Sequence, residues 1–216
     1  MQTKYRRTVL SLVAMLFFAV LASSAEKLKI IPIQDDQVAY ELIGEFINSG
    51  TSNTQYGYLS RVAGFDSAFN SAAPQDETTA IFTFVTNATT NEVVTHGPFR
   101  VINRTGTTTI YLNNGPSNFS DPSSFSQGTP VQISEFTQQS ISNTLNNTFV
   151  TVHTNVITKV ATFTLDGQAY RLGQIGRSFR TNYFGQINTS GPSPTGYFAG
   201  TSIGMSSNLL IAPWLP

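Results

Sequence analysis

The chain of 216 residues contains no cysteine, so disulfide bonds and thiolate-ligated zinc or iron–sulfur centres are excluded. Charged residues make up only 11% of it, and positions 181–216 contain none. Its polarity comes instead from Thr, Ser, Asn and Gln, whose uncharged hydroxyl and amide groups form hydrogen bonds with water. The composition also argues against disorder, because 16 Phe and 8 Tyr provide ample apolar surface to bury. We therefore expect a folded domain that is stabilised by its core alone.

The N-terminal segment has the three parts of an export signal. A positively charged Lys-Tyr-Arg-Arg head occupies positions 4–7, and an uncharged, mainly apolar run covers positions 9–22. This run is shorter than the roughly 20 residues that a transmembrane helix needs. The small residues at 23–25 suit a signal peptidase. We interpret residues 1–25 as a cleaved signal peptide and residues 26–216 as a single β-rich domain, secreted or periplasmic, with no membrane span after cleavage.

Without the predicted signal peptide, the domain has a slightly negative net charge. The predicted signal peptide carries three of the twelve basic residues and none of the twelve acidic ones, so the domain has a formal charge of about −3. Its basic residues are scattered singly, whereas binding to nucleic acid or to an anionic membrane requires clustered Lys and Arg. We expect no nucleic-acid partner.

Alternation of apolar and polar residues dominates the domain and predicts β-strands. The clearest predicted strands cover residues 37–47, 56–65, 79–85, 131–136 and 149–157. Strands at this short spacing, with no reliable long helix, predict an all-β, single-domain antiparallel β-barrel, with a β-sandwich as the alternative. We favour the barrel because closure removes sheet edges that a charge-poor chain cannot protect with Lys.

Local turn chemistry refines the prediction. Asp166-Gly167 lies between two alternating segments, and both residues accept the positive φ that a type I′ hairpin turn requires. Arg104-Thr105-Gly106 is predicted as a second hairpin turn, between strands at 99–102 and 107–112. Residues 138–145 are interpreted as a short helix or a loop.

The two histidines are the first candidates for acid–base chemistry or metal binding. His96 and His153 are far apart in sequence, and no third ligand stands at a characteristic spacing, so we predict no metal site. His153 is expected to share a strand face with Thr151 and Asn155, opposite the valines of the same strand. We predict surface or loop positions for both histidines.

Motifs for catalysis are weak. The segment 200–204 matches the Gly-x-Ser-x-Gly pattern of a nucleophile elbow, but neither a helix-forming segment nor a histidine follows it. Glu41 and Glu45 share a strand face, roughly 13 Å apart along the strand, which is too far for two carboxylates to cleave a glycoside together. The catalytic residues stay unknown, whether the protein is an enzyme stays open, and no cofactor is expected.

A barrel cavity is the most natural place for function. The predicted ligand-binding residues are Tyr56, Tyr58, Arg61, Tyr111, His153 and Tyr170. We predict an exported, non-catalytic β-barrel with a ligand-binding or a surface and structural role, whose ligand would be a small apolar molecule or a carbohydrate. The alternative is a cofactor-free cyclase or isomerase acting in the cavity. Secreted barrels of the lipocalin, dirigent and allene oxide cyclase kinds are comparable in architecture alone, and the oligomeric state stays open.

Overall fold

The computed structural model describes residues 27–205, so the predicted signal peptide lies outside the described residues. A single 3-10 helix, Pro122–Ser126, occurs in this range. No helix in residues 27–205 combines the length and apolarity needed to cross a membrane. The strands are β1 (Lys29–Ile31), β2 (Val38–Ser49), β3 (Ser52–Val62), β4 (Phe82–His96), β5 (Phe99–Leu112), β6 (Thr129–Asn143), β7 (Thr148–Val160), β8 (Phe163–Leu165), β9 (Gln168–Leu172), β10 (Ser178–Asn188) and β11 (Thr195–Gly204).

Eight of these strands form a closed antiparallel barrel, in the order β10-β11-β2-β3-β4-β5-β6-β7. Pairing of β7 with β10 closes it, so the barrel has no exposed sheet edge. The predicted all-β barrel is therefore confirmed, and the β-sandwich alternative is not adopted. The strands β1, β9 and β8 form a separate three-stranded sheet.

The two ends of the barrel differ. At the end that we call the upper end, short turns at 50–51, 97–98, 144–147 and 189–194 join neighbouring strands. At the lower end the connections are long, and the three-stranded sheet packs its apolar side chains into the barrel core. Phe163, for example, lies edge-on to the fully buried Phe82, with ring centroids 5.6 Å apart. Apolar packing thus closes the lower end and leaves the upper end as the open one.

Strand alternation decides which side chains enter the barrel. Along β7 the polar residues Thr151, His153 and Asn155 point inward and are buried. The valines point outward, and the exposed fractions of Val150 and Val156 are 53% and 41%. The predicted shared face of β7 is confirmed, but the surface position predicted for His153 is wrong. Alternation shows which residues share a face, and here the polar face is the interior one.

Glycines make room for aromatic rings inside the barrel. Gly44 pairs in register with Phe198, and a Cβ atom added to Gly44 would lie 2.7 Å from Phe198 Cζ and 2.6 Å from the backbone oxygen of Tyr56. An aromatic residue directly opposite a glycine recurs around the barrel, in the pairs Phe46–Gly196, Phe149–Gly185, Tyr183–Gly200, Phe84–Gly57, Phe136–Gly106 and Phe179–Gly204. Large rings and small neighbours therefore alternate within the interior layer.

One of the two turn predictions is confirmed, and the other is wrong. Asp166 and Gly167 connect β8 to β9 with φ angles of 50° and 78°, which confirms the predicted hairpin turn. The turn predicted at 104–106 is wrong, because β5 runs unbroken through it. The chain reverses at Gly97 instead, where φ is 54°. The glycine of the predicted turn, Gly106, is one of those that face an aromatic residue.

The segment 138–145 is also different from the prediction. Residues 138–143 continue β6 and form neither a short helix nor a loop, and only residues 144 and 145 belong to the turn that follows. Its inward side chains are Gln138, Ser140 and Ser142, which are all buried. Since polar residues occupy the interior face as well as the exterior one, the sequence has no apolar alternation here by which the strand could be recognised.

Candidate functional site

A cavity of about 50 Å³ lies inside the upper part of the barrel. We call it the upper chamber. The apolar part of its wall is formed by Phe46, Ile102, Phe149 and Ile187, and the polar part comes mainly from β3, β5, β6 and β7. Several of these wall residues lie close to the upper ends of their strands. The chamber is thus a polar, partly aromatic space next to the upper rim.

A second cavity, the lower chamber, has a volume of about 40 Å³. Its lining combines apolar side chains, among them Leu42, Leu59 and Phe84, with polar ones such as His153 and Asn155. Gln55 and Tyr183 line both chambers, so these two side chains separate them. The barrel interior therefore holds two small spaces in series rather than one large pocket.

Arg104 brings a positive charge into the upper chamber from the middle of β5, and only 9% of it is exposed. Its Nε donates to Thr90 Oγ1 at 3.1 Å, and its two terminal nitrogens donate to Ser140 Oγ at 3.5 Å and to Asn48 Oδ1 at 3.4 Å. Within residues 27–205, no carboxylate lies within 4.0 Å of the guanidinium. Burial lowers the pKa of Arg104, but a guanidinium remains protonated in proteins. The chamber thus contains a cation with no acidic partner in the described chain.

Gln138 lies beside this cation. Its Nε2 donates to Ser140 Oγ at 2.7 Å, and Ser140 Oγ lies 2.7 Å from Thr151 Oγ1. The amide oxygen of Gln138 is buried and has no hydrogen-bond partner among the described residues. Buried polar atoms nearly always have a partner, so this unsatisfied acceptor, on a residue of the chamber wall, is exceptional.

A hydrogen-bonded chain runs from the lower chamber to the rim. The Tyr183 hydroxyl donates to Gln55 Oε1 at 2.9 Å, and Gln55 Nε2 donates to Asn53 Oδ1 at 2.7 Å. Asn53 Nδ2 then donates to Asn48 Oδ1 at 2.9 Å, the oxygen that also accepts from Arg104. Side chains of four strands are therefore held together around the upper chamber.

His153 completes this chain at its lower end. Its Nε2 lies 3.0 Å from the Tyr183 hydroxyl, whose single proton is directed to Gln55, so Nε2 carries a proton and donates. Burial, and then the charge of Arg104, lower the pKa of His153 to about 3. Burial also raises the pKa of Tyr183. Both side chains are consequently neutral at physiological pH.

Two of the predicted binding residues lie outside the barrel wall. Tyr56 and Tyr58 point outward from β3 and are buried beneath the connections 63–81 and 113–128. There Tyr56 packs on Phe125, with ring centroids 5.4 Å apart. The two tyrosines belong to a second apolar cluster that fastens these connections to the wall.

Three more of the predicted binding residues also lie outside the barrel interior. Arg61 is exposed and forms an ion pair with Glu41 at 3.2 Å. Tyr111 follows the inward-facing Ile110 on β5 and therefore points outward. Tyr170 lies in the small sheet at the lower end. Of the six predicted residues, the structure brings only His153 into the barrel interior.

The polar residues of the upper chamber, Arg104, Gln138 and Tyr183 above all, were missed by sequence reasoning. Arg104 and Gln138 fell in segments predicted as a turn and as a helix or loop. A usable signal exists: Arg104 is an arginine in step with the inward residues Ile102 and Ile110 along a strand of a charge-poor chain. Inward arginines of this kind require an explanation, since charges are rarely buried without a partner.

The remaining candidate motifs do not form sites in the described chain. Ser202, at the centre of the Gly-x-Ser-x-Gly segment, points into the barrel from β11, and its hydroxyl lies 2.8 Å from Thr181 Oγ1. It is part of a strand and not of a strand-to-helix elbow. No group of three or more His, Asp or Glu residues within residues 27–205 is arranged to hold a metal ion. Comparison of the chain with protein-family models, with curated proteins and with solved structures found no match.

Proposed function

We propose that this protein is an exported, non-catalytic binding protein that holds a small molecule in the upper chamber. The observation that carries the proposal is that Gln138, whose buried Oε1 has no partner among the described residues, lines the upper chamber together with the buried Arg104. A stable interior normally satisfies such an atom. A bound molecule that donates a hydrogen bond would satisfy it here.

The size of the upper chamber limits the ligand. One water needs about 10–15 Å³ of cavity volume, so the chamber of about 50 Å³ accommodates roughly three to five non-hydrogen atoms. A whole sugar ring or a lipid exceeds this space unless side chains move. The polar wall also favours a polar ligand over an apolar one. The ligand is therefore a small polar molecule, or the polar end of a larger one that protrudes through the upper rim.

Filling the chamber tests the proposal. Native mass spectrometry of protein from its own source identifies a retained molecule, and a thermal-shift screen of small polar compounds identifies binders. Ser142→Leu adds volume to the chamber wall, whereas Gln139→Leu adds a similar side chain on the exposed face of the same strand. We expect ligand-induced stabilisation in the wild type and in Gln139→Leu but not in Ser142→Leu. Equal stabilisation of both variants would contradict the proposal.

A second candidate function is a cofactor-free isomerase or cyclase in the same interior. The neutral His153–Tyr183 pair, located where the two chambers meet, favours it, because a bound molecule that replaces Gln55 Oε1 as the acceptor would receive a hydrogen bond from the Tyr183 hydroxyl. The test is incubation of each binder with the protein, followed by mass spectrometry and NMR for a rearranged product. Conversion that disappears in Tyr183→Phe while binding persists would support the enzyme, and unchanged ligand would support the binding protein.

A further inference from the structure

The charge of Arg104 indicates the sign of the ligand. Burying an ion without a counter-charge is strongly unfavourable, and within residues 27–205 no carboxylate lies within salt-bridge distance of this guanidinium. The three protein hydrogen bonds of Arg104 use three of its five N–H groups, and two of these bonds are long, at 3.4 and 3.5 Å. Donors remain for a planar oxyanion, which an arginine binds with two parallel hydrogen bonds.

Gln138 indicates what the ligand carries besides its charge. Arg104 and Gln138 are direct cross-strand partners, and both donate to Ser140 Oγ, so the guanidinium and the amide lie side by side on one wall. The unpartnered amide oxygen needs a donor, which an anion alone does not supply. A hydroxyl group on the atom next to the anionic group meets this requirement.

The surroundings agree with a carbon-containing anion. The chamber wall also includes the rings of Phe46 and Phe149, which suit a methylene or methyl group. Toward the rim, the exposed Arg100 lies on the same face of β5 as Arg104, roughly 13 Å along the strand. A second cation at the entrance raises the local concentration of anions.

We propose that the upper chamber binds a small 2-hydroxycarboxylate, with its carboxylate on Arg104 and its hydroxyl donating to Gln138 Oε1. The assignment rests on the proposed function of the chamber and specifies its ligand class. Glycolate, with five non-hydrogen atoms, matches the available volume. Larger 2-hydroxycarboxylates extend past Phe149 toward the rim.

The wild-type protein allows a first test by isothermal titration calorimetry with four probes. Glycolate has both the anion and the hydroxyl, acetate lacks the hydroxyl, glycolamide lacks the charge, and hydrogenphosphate is an inorganic anion with a hydroxyl. Since a hydrogen bond to a charged group contributes about 1.5–3 kcal/mol, we expect glycolamide to bind at least about tenfold more weakly than glycolate. Acetate should be weaker by about five- to tenfold, because a neutral hydrogen bond contributes about 1 kcal/mol. Equal binding of glycolamide, or tighter binding of hydrogenphosphate, would overturn the assignment.

Variants of Arg104 and Gln138 then test which part of the ligand each side chain contacts. Arg104→Gln should abolish the preference for glycolate over glycolamide, and Arg104→Lys, which keeps the charge, should retain part of it. Gln138→Leu should abolish the preference for glycolate over acetate while leaving acetate binding intact. Arg61→Gln removes an exposed arginine of the outer wall and should change neither preference.

Different results would contradict the proposed function of the chamber and the proposed ligand class. If neutral compounds stabilise the wild type and Ser142→Leu abolishes this effect, the chamber is a binding site but the 2-hydroxycarboxylate assignment is wrong. If no compound, charged or neutral, responds to Ser142→Leu, the proposed function itself is wrong, and the ligand class falls with it.

Discussion

The Tyr183 hydroxyl lies 3.0 Å from His153 Nε2 and 2.9 Å from Gln55 Oε1. One hydroxyl group thereby connects β10 with β7 and β3 at the level where the two chambers meet. Phe136 stacks on the imidazole of His153, with ring centroids 4.4 Å apart, and holds the ring in position. The interior is organised around this contact, and its removal should be measurable as a loss of stability.

Tyr183→Phe should reduce the free energy of unfolding by about 1–3 kcal/mol, because two buried polar groups lose their partner. The ring remains, so the packing on Phe149 and Phe198 is retained. Urea denaturation measures the change. Tyr197→Phe is the matched control, since 61% of Tyr197 is exposed, and it should stay within about 0.5 kcal/mol of the wild type. A stable Tyr183→Phe protein would show that the hydroxyl is not part of the interior network.

Stability should fall in acid through His153. Burial and Arg104 lower the pKa of His153 in the folded protein to about 3, whereas an unfolded histidine has a pKa of about 6.5. Below pH 6.5, His153 therefore binds a proton in the unfolded chain but stays neutral in the folded protein. The stabilisation is complete above pH 6.5 and is lost as the pH falls toward 3, with a slope that approaches about 1.4 kcal/mol per pH unit.

His153→Gln isolates this contribution, because glutamine keeps a donor for Tyr183 but does not titrate. Denaturation between pH 4.5 and 7 should show a shallower pH dependence for His153→Gln than for the wild type. His96→Gln, which changes the exposed histidine, should retain the wild-type slope. Identical slopes for the wild type and His153→Gln would contradict a buried, neutral His153.

The glycine opposite Phe198 gives a packing prediction. Gly44→Ala places a Cβ atom 2.6 Å from the backbone oxygen of Tyr56 and 2.7 Å from Phe198 Cζ, so ring and strand must move. Overpacking of this kind destabilises by about 1–3 kcal/mol. Gly115→Ala is the control, because its added Cβ meets nothing within 4 Å. Thermal denaturation should show a lower melting temperature for Gly44→Ala alone, and equal melting of the two variants would argue against the ring-over-glycine packing.

The outer aromatic cluster should matter for stability and not for binding. Phe125 is fully buried against Tyr56 and Phe119, so Phe125→Ala should cost about 3–5 kcal/mol. Phe184→Ala removes a ring that is 68% exposed on the barrel surface and should have little effect. Urea denaturation compares the two variants. Glycolate affinity, measured on the folded fraction, should be unchanged in both, and a weakened affinity in Phe125→Ala would show that the cluster supports the chamber directly.

The architecture was predictable because it depends on local signals that repeat. Alternation marked the strands, and Asp166-Gly167 marked a turn whose positive φ angles only a few residue types accept. Those signals sufficed for a closed antiparallel barrel. The interior polar residues were not predictable in the same way, because a strand such as 138–143 with polar side chains on both faces shows no apolar period.

The candidate site depended on which face of each strand turned inward. Tyr56 and Tyr58 satisfy every local expectation of a cavity lining, yet two long connections cover them on the outside. His153 is inside because β7 turns its polar face to the interior and its valines to solvent. These choices are made by packing between distant segments, which the sequence of one strand does not record.

Arg104 itself provides the most direct test of anion binding in the upper chamber. In the ¹⁵N NMR spectrum of the whole domain, the Nε–H signal of Arg104, assigned by its absence in Arg104→Lys, can be followed during titration with glycolate and with glycolamide. We expect a saturable shift of this signal with glycolate and a much smaller one with glycolamide at equal concentration. An Arg104 signal that stays constant while glycolate shifts resonances elsewhere would contradict binding of a small anion in the upper chamber.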